Sequence, residues 1–251
     1  MAAAMWAGVP LERLRLWGFL VVCVILNIGV WATHKNARPI WGNTPPAPSI
    51  HGLQSFALGD RQLAYRATGV MLQNLGNAGG SSQPLRSYDY DGLKDWFFLA
   101  DSMDSRANFM PYLAAYYFGA VDDPARVRRV IDYLEIVGNR PGTNKWAWLA
   151  HAVYLARYVT KDLDRAYVLA NKLAALAEMD PAVPAWARQM PAFVLTAKGD
   201  KQAAYAIMLE ILKSSAERMS PQEVNSMKHY ICSRILDSAE VRANPLCQDL
   251  K

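Results

Sequence analysis

Residues 16–33, LWGFLVVCVILNIGVWAT, run for 18 positions without a charge, and Asn27 is the only strongly polar side chain among them. Such a stretch has few stable destinations. It crosses a bilayer, it is removed as a leader, or it is wrapped inside a core. Taken from Leu14 to Thr33 it reaches the roughly 20 residues a helix needs to cross the hydrocarbon layer, with Arg15 snorkelling to the headgroups. Trp17 and Trp31 stand near its two ends, where indoles favour the interface, and Trp6 and Trp41 flank it further out. A cleaved leader is the rival, with Arg13 and Arg15 as its basic start and Val30-Trp31-Ala32 as a small-x-small site. The length of the apolar run and the tryptophan at its end favour a retained anchor. The reading is therefore a short tail over residues 1–13 and a single transmembrane helix over residues 14–33.

Positive charge barely distinguishes the two sides, with Arg13 and Arg15 before the span and Lys35 and Arg38 after it. A short tail with arginine directly before the span points to an N-in orientation. In a bacterium this is an inner-membrane protein whose bulk faces the periplasm.

Residues 34–58 are rich in Pro, Gly, Asn and Ser. Pro45, Pro46 and Pro48 favour extended backbone and argue against a helix, so this stretch reads as a tether. From residue 59 to residue 251 apolar residues recur at steps of three and four, and period-two alternation is nearly absent. Leu93, Trp96, Phe97 and Ala100 make one stripe, and Val127, Val130, Ile131 and Leu134 another. Ala166, Leu169, Ala170 and Leu173 make a third; Ala204, Ile207, Met208 and Ile211 a fourth. Lys145 to Ala156 is apolar nearly all round and needs cover on several sides. The fold class is all-α.

An internal repeat organises these helices. Trp146-Ala147 recurs 40 residues later as Trp186-Ala187, and Ala166-Tyr167 recurs 38 residues later as Ala204-Tyr205. Backwards by 37 residues, Tyr117 matches Tyr154 and Ala115 matches Ala152. Periods of this size mark stacked helical pairs.

On these residues the chain resembles the tetratricopeptide-repeat superfamily. The resemblance rests on Ala115, Ala152, Ala166 and Ala204 at helix contacts, on the early Trp146 and Trp186, on the Asp180-Pro181 closure, and on the Gly199-Asp200 turn before Ala203-Ala204. It covers roughly residues 91–215. The period is longer than the 34 residues of that superfamily, and Pro111 and Pro191 lie near helix starts where it has no fixed proline. The resemblance implies a right-handed helical-hairpin solenoid, here membrane-anchored and divergent as in other such bacterial proteins, and a protein–protein interaction role.

Chemistry is sparse. His34, His51, His151 and His229 form no H-E-x-x-H pair, and Gly76 to Ser82 lacks the lysine of a phosphate loop. Asp89-Tyr90-Asp91-Gly92 starts like a calcium loop but lacks its later ligands; Asp91 reads instead as a helix N-cap. No catalytic, cofactor or metal residues are assigned. Asp101 and Asp104 are a candidate acid–base pair only if a helical pocket brings a substrate to them; their place at a helix end favours solvation. Cys232 and Cys247 are a candidate disulfide, provided that the domain lies in an oxidising compartment.

Ten aromatic residues crowd into the 31 positions from Tyr88 to Phe118. Core packing explains most of them. The functional reading is a groove in which Tyr112, Tyr116, Tyr117 and Tyr154 grip a partner, with Arg126 and Arg129 as a basic rim. The net charge of +5 is concentrated around the apolar stretch, since residues after 38 hold 23 basic and 21 acidic side chains. Nucleic acid is therefore excluded as a favoured partner. The expected role is a scaffold, assembly factor or accessory subunit of a membrane complex. An enzyme or small-ligand binder built on Asp101, Asp104 and neighbouring tyrosines is the alternative.

Overall fold

The computed structural model describes residues 11–35, 44–77 and 82–248, and among these it is helical with no strand. Two compact units are distinguished, residues 1–40 and residues 41–251.

The first unit contains α1, Leu11–His34. Its stretch Arg15–Thr33 has a mean hydropathy of 2.1 and is long and apolar enough to cross a membrane. The tryptophans near its ends, Trp17 and Trp31, are exposed, as are the branched aliphatics between them.

The second unit begins earlier than the sequence reading placed it. Residues 36–43 of the expected tether lie outside the described residues, but residues 44–58 are folded onto the domain. Thr44 is buried and its hydroxyl donates to the Asp89 carbonyl; the Pro45 carbonyl accepts the Trp96 indole N–H at 2.7 Å. Residues 44–49, which hold the three prolines, form no regular secondary structure, and Ser49 is extended. Directly after them, however, α2 forms over Ile50–Phe56, because the Ser49 hydroxyl caps it by accepting from the Gly52 N–H. Leu53 and Ala57 then enter the core.

Next come α3 (Arg61–Gln73), α4 (Tyr90–Met103) and α5 (Phe109–Tyr112), the last running on through a π turn at Leu113–Tyr117. Asp89, not Asp91, caps α4; its carboxylate accepts from the Asp91 N–H, and Asp91 lies in the first turn. The chain continues with α6 (Pro124–Gly138) and α7 (Trp146–Tyr154), which also ends in a π turn, Leu155–Val159. Then follow α8 (Leu163–Met179), α9 (Met190–Lys198), α10 (Lys201–Ser215) and α11 (Pro221–Tyr230), with a third π turn at Ile231–Ile235. Two short helices, α12 (Ser238–Ala243) and α13 (Pro245–Gln248), complete the described chain.

From α6 to α10 each helix packs chiefly on the next one along the chain. Short turns impose this. Gly199, in the left-handed conformation at φ 86°, ends α9, and Asp200 caps α10 at once, so the two helices fold back as a hairpin. The striped residues fill the interior: Val127, Leu134, Leu149, Leu169 and Leu173 are wholly buried. Residues matched by the 40-residue repeat meet in space, with the rings of Trp146 and Trp186 5.7 Å apart, edge to face.

Candidate functional site

The π turns of α5 and α7 set the site. Their sequences, Leu113-Ala114-Ala115-Tyr116-Tyr117 and Leu155-Ala156-Arg157-Tyr158-Val159, align at 42 residues. This register differs by five residues from the 37-residue match of Tyr117 with Tyr154, and it is the one that superposes the two π turns. In both copies the Leu-Ala pair is buried, and the tyrosine before the turn and the one within it face solvent. Tyr112 and Tyr116 are each 55% exposed, Tyr154 is 50% and Tyr158 is 54%.

These tyrosines join across the two helices. Tyr112 and Tyr116 have ring centroids 5.0 Å apart; Tyr116 lies 4.7 Å from His151, His151 5.5 Å from Tyr154, and Tyr154 5.1 Å from Tyr158. Five rings thus form one continuous row. The Arg157 guanidinium lies 4.8 Å over the Tyr158 ring and closes that end. Trp148 supports the other end from 6.3 Å behind Tyr116, its indole N–H donating to Asn108 Oδ1 at 2.8 Å. Beside the row runs a cleft of about 380 Å³ walled by Ala115, Gly119, Ala120, Leu155 and Val159 together with Tyr116 and Tyr154. None of the four tyrosine hydroxyls is hydrogen-bonded among the described residues, so each is free to donate or accept.

His151 belongs to this row rather than to the core. Burial lowers its pKa and holds the ring neutral, while the nearby Ala115 carbonyl works in the opposite direction. The sequence assigns His151 no chemical role, only a place in or near the packed core, and does not single out Tyr158. The Tyr-x-x-x-Tyr spacing at 112/116 and 154/158 is the signal that could have found Tyr158.

The other proposed members lie elsewhere. Tyr117 packs edge-on against Phe118. Arg126 pairs with Asp123 within the first turn of its own helix, and Arg129 Nε donates to Asp91 at 2.8 Å, tying α6 to α4. The basic rim does not form, and the cation at the row is Arg157. Tyr88, Tyr90, Trp96, Phe97 and Phe118 are core residues.

Asp101 is not solvated at a helix end. It is 2% exposed, and its carboxylate accepts from Lys145 Nζ at 2.9 Å and Arg140 Nη1 at 2.5 Å. Asp104 is engaged separately, by Gln62 Nε2 at 2.8 Å and by the backbone N–H groups of Arg106 and Ala107, which together lower its pKa. Among the described residues the two carboxylates share no hydrogen-bond partner. Among the described residues no three His, Cys, Asp or Glu side chains are grouped to hold a metal ion. Cys232 and Cys247 are joined as a disulfide with Cα atoms 5.8 Å apart, and Cys23 on α1 is a free thiol.

No protein-family model matches the chain, and no curated protein or solved structure is significantly similar to it.

Proposed function

We propose that this chain is a membrane-anchored docking protein: a tetratricopeptide-like, right-handed solenoid of helical pairs that grips a protein partner along the Tyr112–Tyr158 row. The exposed five-ring row carries the reading. Aromatic side chains left in solvent in register on successive helical pairs contribute nothing to their own core, yet offer a large rigid contact area at low entropic cost. The free hydroxyls add hydrogen-bonding capacity. The solenoid reading is supported by the sequential packing of α6 to α10 and by the meeting of Trp146 with Trp186.

The partner belongs to a membrane complex for which this chain serves as scaffold, assembly factor or accessory subunit. Residues 14–33 hold it in the bilayer. The disulfide supports placing the domain in an oxidising compartment, in a bacterium the periplasm, with the amino terminus in the cytoplasm. The helical-pocket enzyme reading gains nothing from Asp101, whose charge is already matched by Arg140 and Lys145.

Photo-crosslinking tests the function. Benzoylphenylalanine placed at Tyr116 or Tyr154 in native membranes gives a discrete protein adduct of one mass, whereas the same label at exposed Lys213, on α10, gives none. Equal labelling at the three positions, or adduct at none of them, sinks the docking face.

A further inference from the structure

A second surface lies between α2, α3 and α4. It is an apolar groove of about 530 Å³, walled by Leu53, Phe56, Ala67, Met71 and Trp96. That volume falls within the range of about 300–1,000 Å³ in which small ligands bind. One residue of its lining carries an uncommitted polar atom. Thr68 lines it, is 2% exposed, and its Oγ1 has no hydrogen-bond partner. A threonine inside a helix usually bonds back to the carbonyl a turn earlier, so an orphaned buried hydroxyl on an otherwise apolar wall is a donor awaiting an acceptor. The Trp96 indole N–H is already committed to the Pro45 carbonyl.

The lip of the groove is greasy. Phe56 is 80% exposed and Leu58, held at φ 53°, is 92% exposed. Leu63 and Val70, one turn to either side of Ala67 on α3, are 50% and 61% exposed. Arg66 is exposed beside them without an ion-pair partner among the described residues, which suits an anionic or zwitterionic headgroup. The groove also follows closely on the apolar helix in the chain.

We propose that this groove holds the acyl chain of a membrane lipid, with Thr68 Oγ1 donating to the ester carbonyl and Phe56 and Leu58 resting among the neighbouring chains. The ligand class follows from the lining, which suits a long apolar body with one acceptor oxygen, and from α1, which is long and apolar enough to bring the chain to a lipid source. The proposal rests on α1 spanning the membrane.

The test uses the full chain in nanodiscs of phosphatidylcholine carrying a diazirine near the acyl terminus, with adducts mapped by mass spectrometry after illumination. Adducts are expected both on α1 and on peptides from residues 48–71. Ala67→Trp fills the groove and lowers the second yield at least five-fold while leaving the α1 yield unchanged. Thr68→Val, which keeps the shape and removes the donor, lowers it two- to five-fold and carries the test if the tryptophan variant does not fold. Adducts confined to α1, or a groove yield that neither substitution changes, overturn the proposal and leave the anchor standing. Absence of adduct on α1 overturns the anchor itself, and the proposal with it.

Discussion

Lys145 Nζ donates to Asp101 Oδ1 across 2.9 Å with both side chains out of solvent, one at the start of α7 and the other near the end of α4. Arg140 takes the second oxygen from the intervening loop at 2.5 Å. A buried charge is tolerated only while it is paired, so the three residues fix how the α6–α7 loop lies on α4. Lys145→Met leaves Asp101 with Arg140 alone. The expected loss is at the lower end of the ~3–5 kcal/mol seen when a buried pair is broken. The double variant Lys145→Met with Asp101→Leu recovers part of it. Denaturant titration measures both, and a Lys145→Met variant as stable as the parent contradicts the account.

The aromatic row predicts a separation of binding from stability. Tyr116→Ala and Tyr154→Ala remove half-exposed rings, so each is expected to cost less than about 1 kcal/mol of stability. Each is nevertheless expected to abolish the protein adduct seen with a crosslinker at the other position. Arg126→Ala and Arg129→Ala, whose partners Asp123 and Asp91 belong to this chain, leave that adduct in place. Comparing adduct yield with thermal melts for the four variants distinguishes a docking row from a set of structural rings.

Much of this arrangement could be read from the amino acids, and the parts that could not have physical reasons. The stripes at Val127, Val130 and Leu134 and at Leu169 and Leu173 located their helices because one-sided burial at helical period leaves few alternatives. Trp146 and Trp186 marked the repeat, and their rings meet in the fold. The helix at Ile50–Phe56 was hidden by the prolines before it, which end at Pro48 and leave the next residue, Ser49, to cap it. The ion cluster was hidden by separation, as Lys145 and Asp101 lie 44 residues apart. Lys145 was still the one full charge at the head of an apolar run, and a buried partner was the question it posed. The 42-residue register escaped because the 37-residue shift also lays tyrosine on tyrosine and alanine on alanine, and nothing in the sequence marks where a π turn falls.

His151 makes stability depend on pH in a predictable direction. Burial lowers its folded pKa below the ordinary value of 6.5, so the folded state favours the neutral ring. Near and above pH 6.5 that contribution is fully present. As pH falls below 6.5 the unfolded chain takes up the proton first, and stability declines until the folded pKa is reached. Replacing His151 with Phe removes this segment of the pH profile while retaining an aromatic ring in the row. Melting temperatures from pH 7.5 to pH 5 compare the two chains, and identical slopes below pH 6.5 rule the assignment out.

The disulfide clamps the end of the chain. Cys232 lies in the π turn after α11 and Cys247 in α13, and between them Asn244 Nδ2 donates to Tyr205 Oη at 3.0 Å. Closing a loop of this size is worth about 3 kcal/mol through the entropy of the unfolded chain. The replacement of both cysteines by serine is expected to release residues 238–248 from α10 before it affects α6 to α8, whose core does not involve the tail. Limited proteolysis then cuts first near residues 238–244, and hydrogen exchange rises there while α7 stays protected. Simultaneous loss of protection throughout the domain contradicts a local clamp.

Gly138 lets α6 come close to the α7 backbone. A Cβ there would sit 2.3 Å from the Leu149 backbone nitrogen and 2.9 Å from its Cα, distances at which the two helices must separate. Alanine for glycine inside a helix ordinarily gains up to about 1 kcal/mol from propensity. Forcing an atom into a packed interface costs about 1–3 kcal/mol, and here the obstacle is backbone that cannot rotate away. The steric cost is therefore expected to prevail. Gly138→Ala lowers the melting temperature by several degrees, and because Leu149 lies two residues from His151, it also weakens crosslinking at Tyr116 and Tyr154. A Gly138→Ala protein that melts higher than the parent shows that α6 and α7 are not packed this closely, and the spacing of the aromatic row that depends on them fails with it.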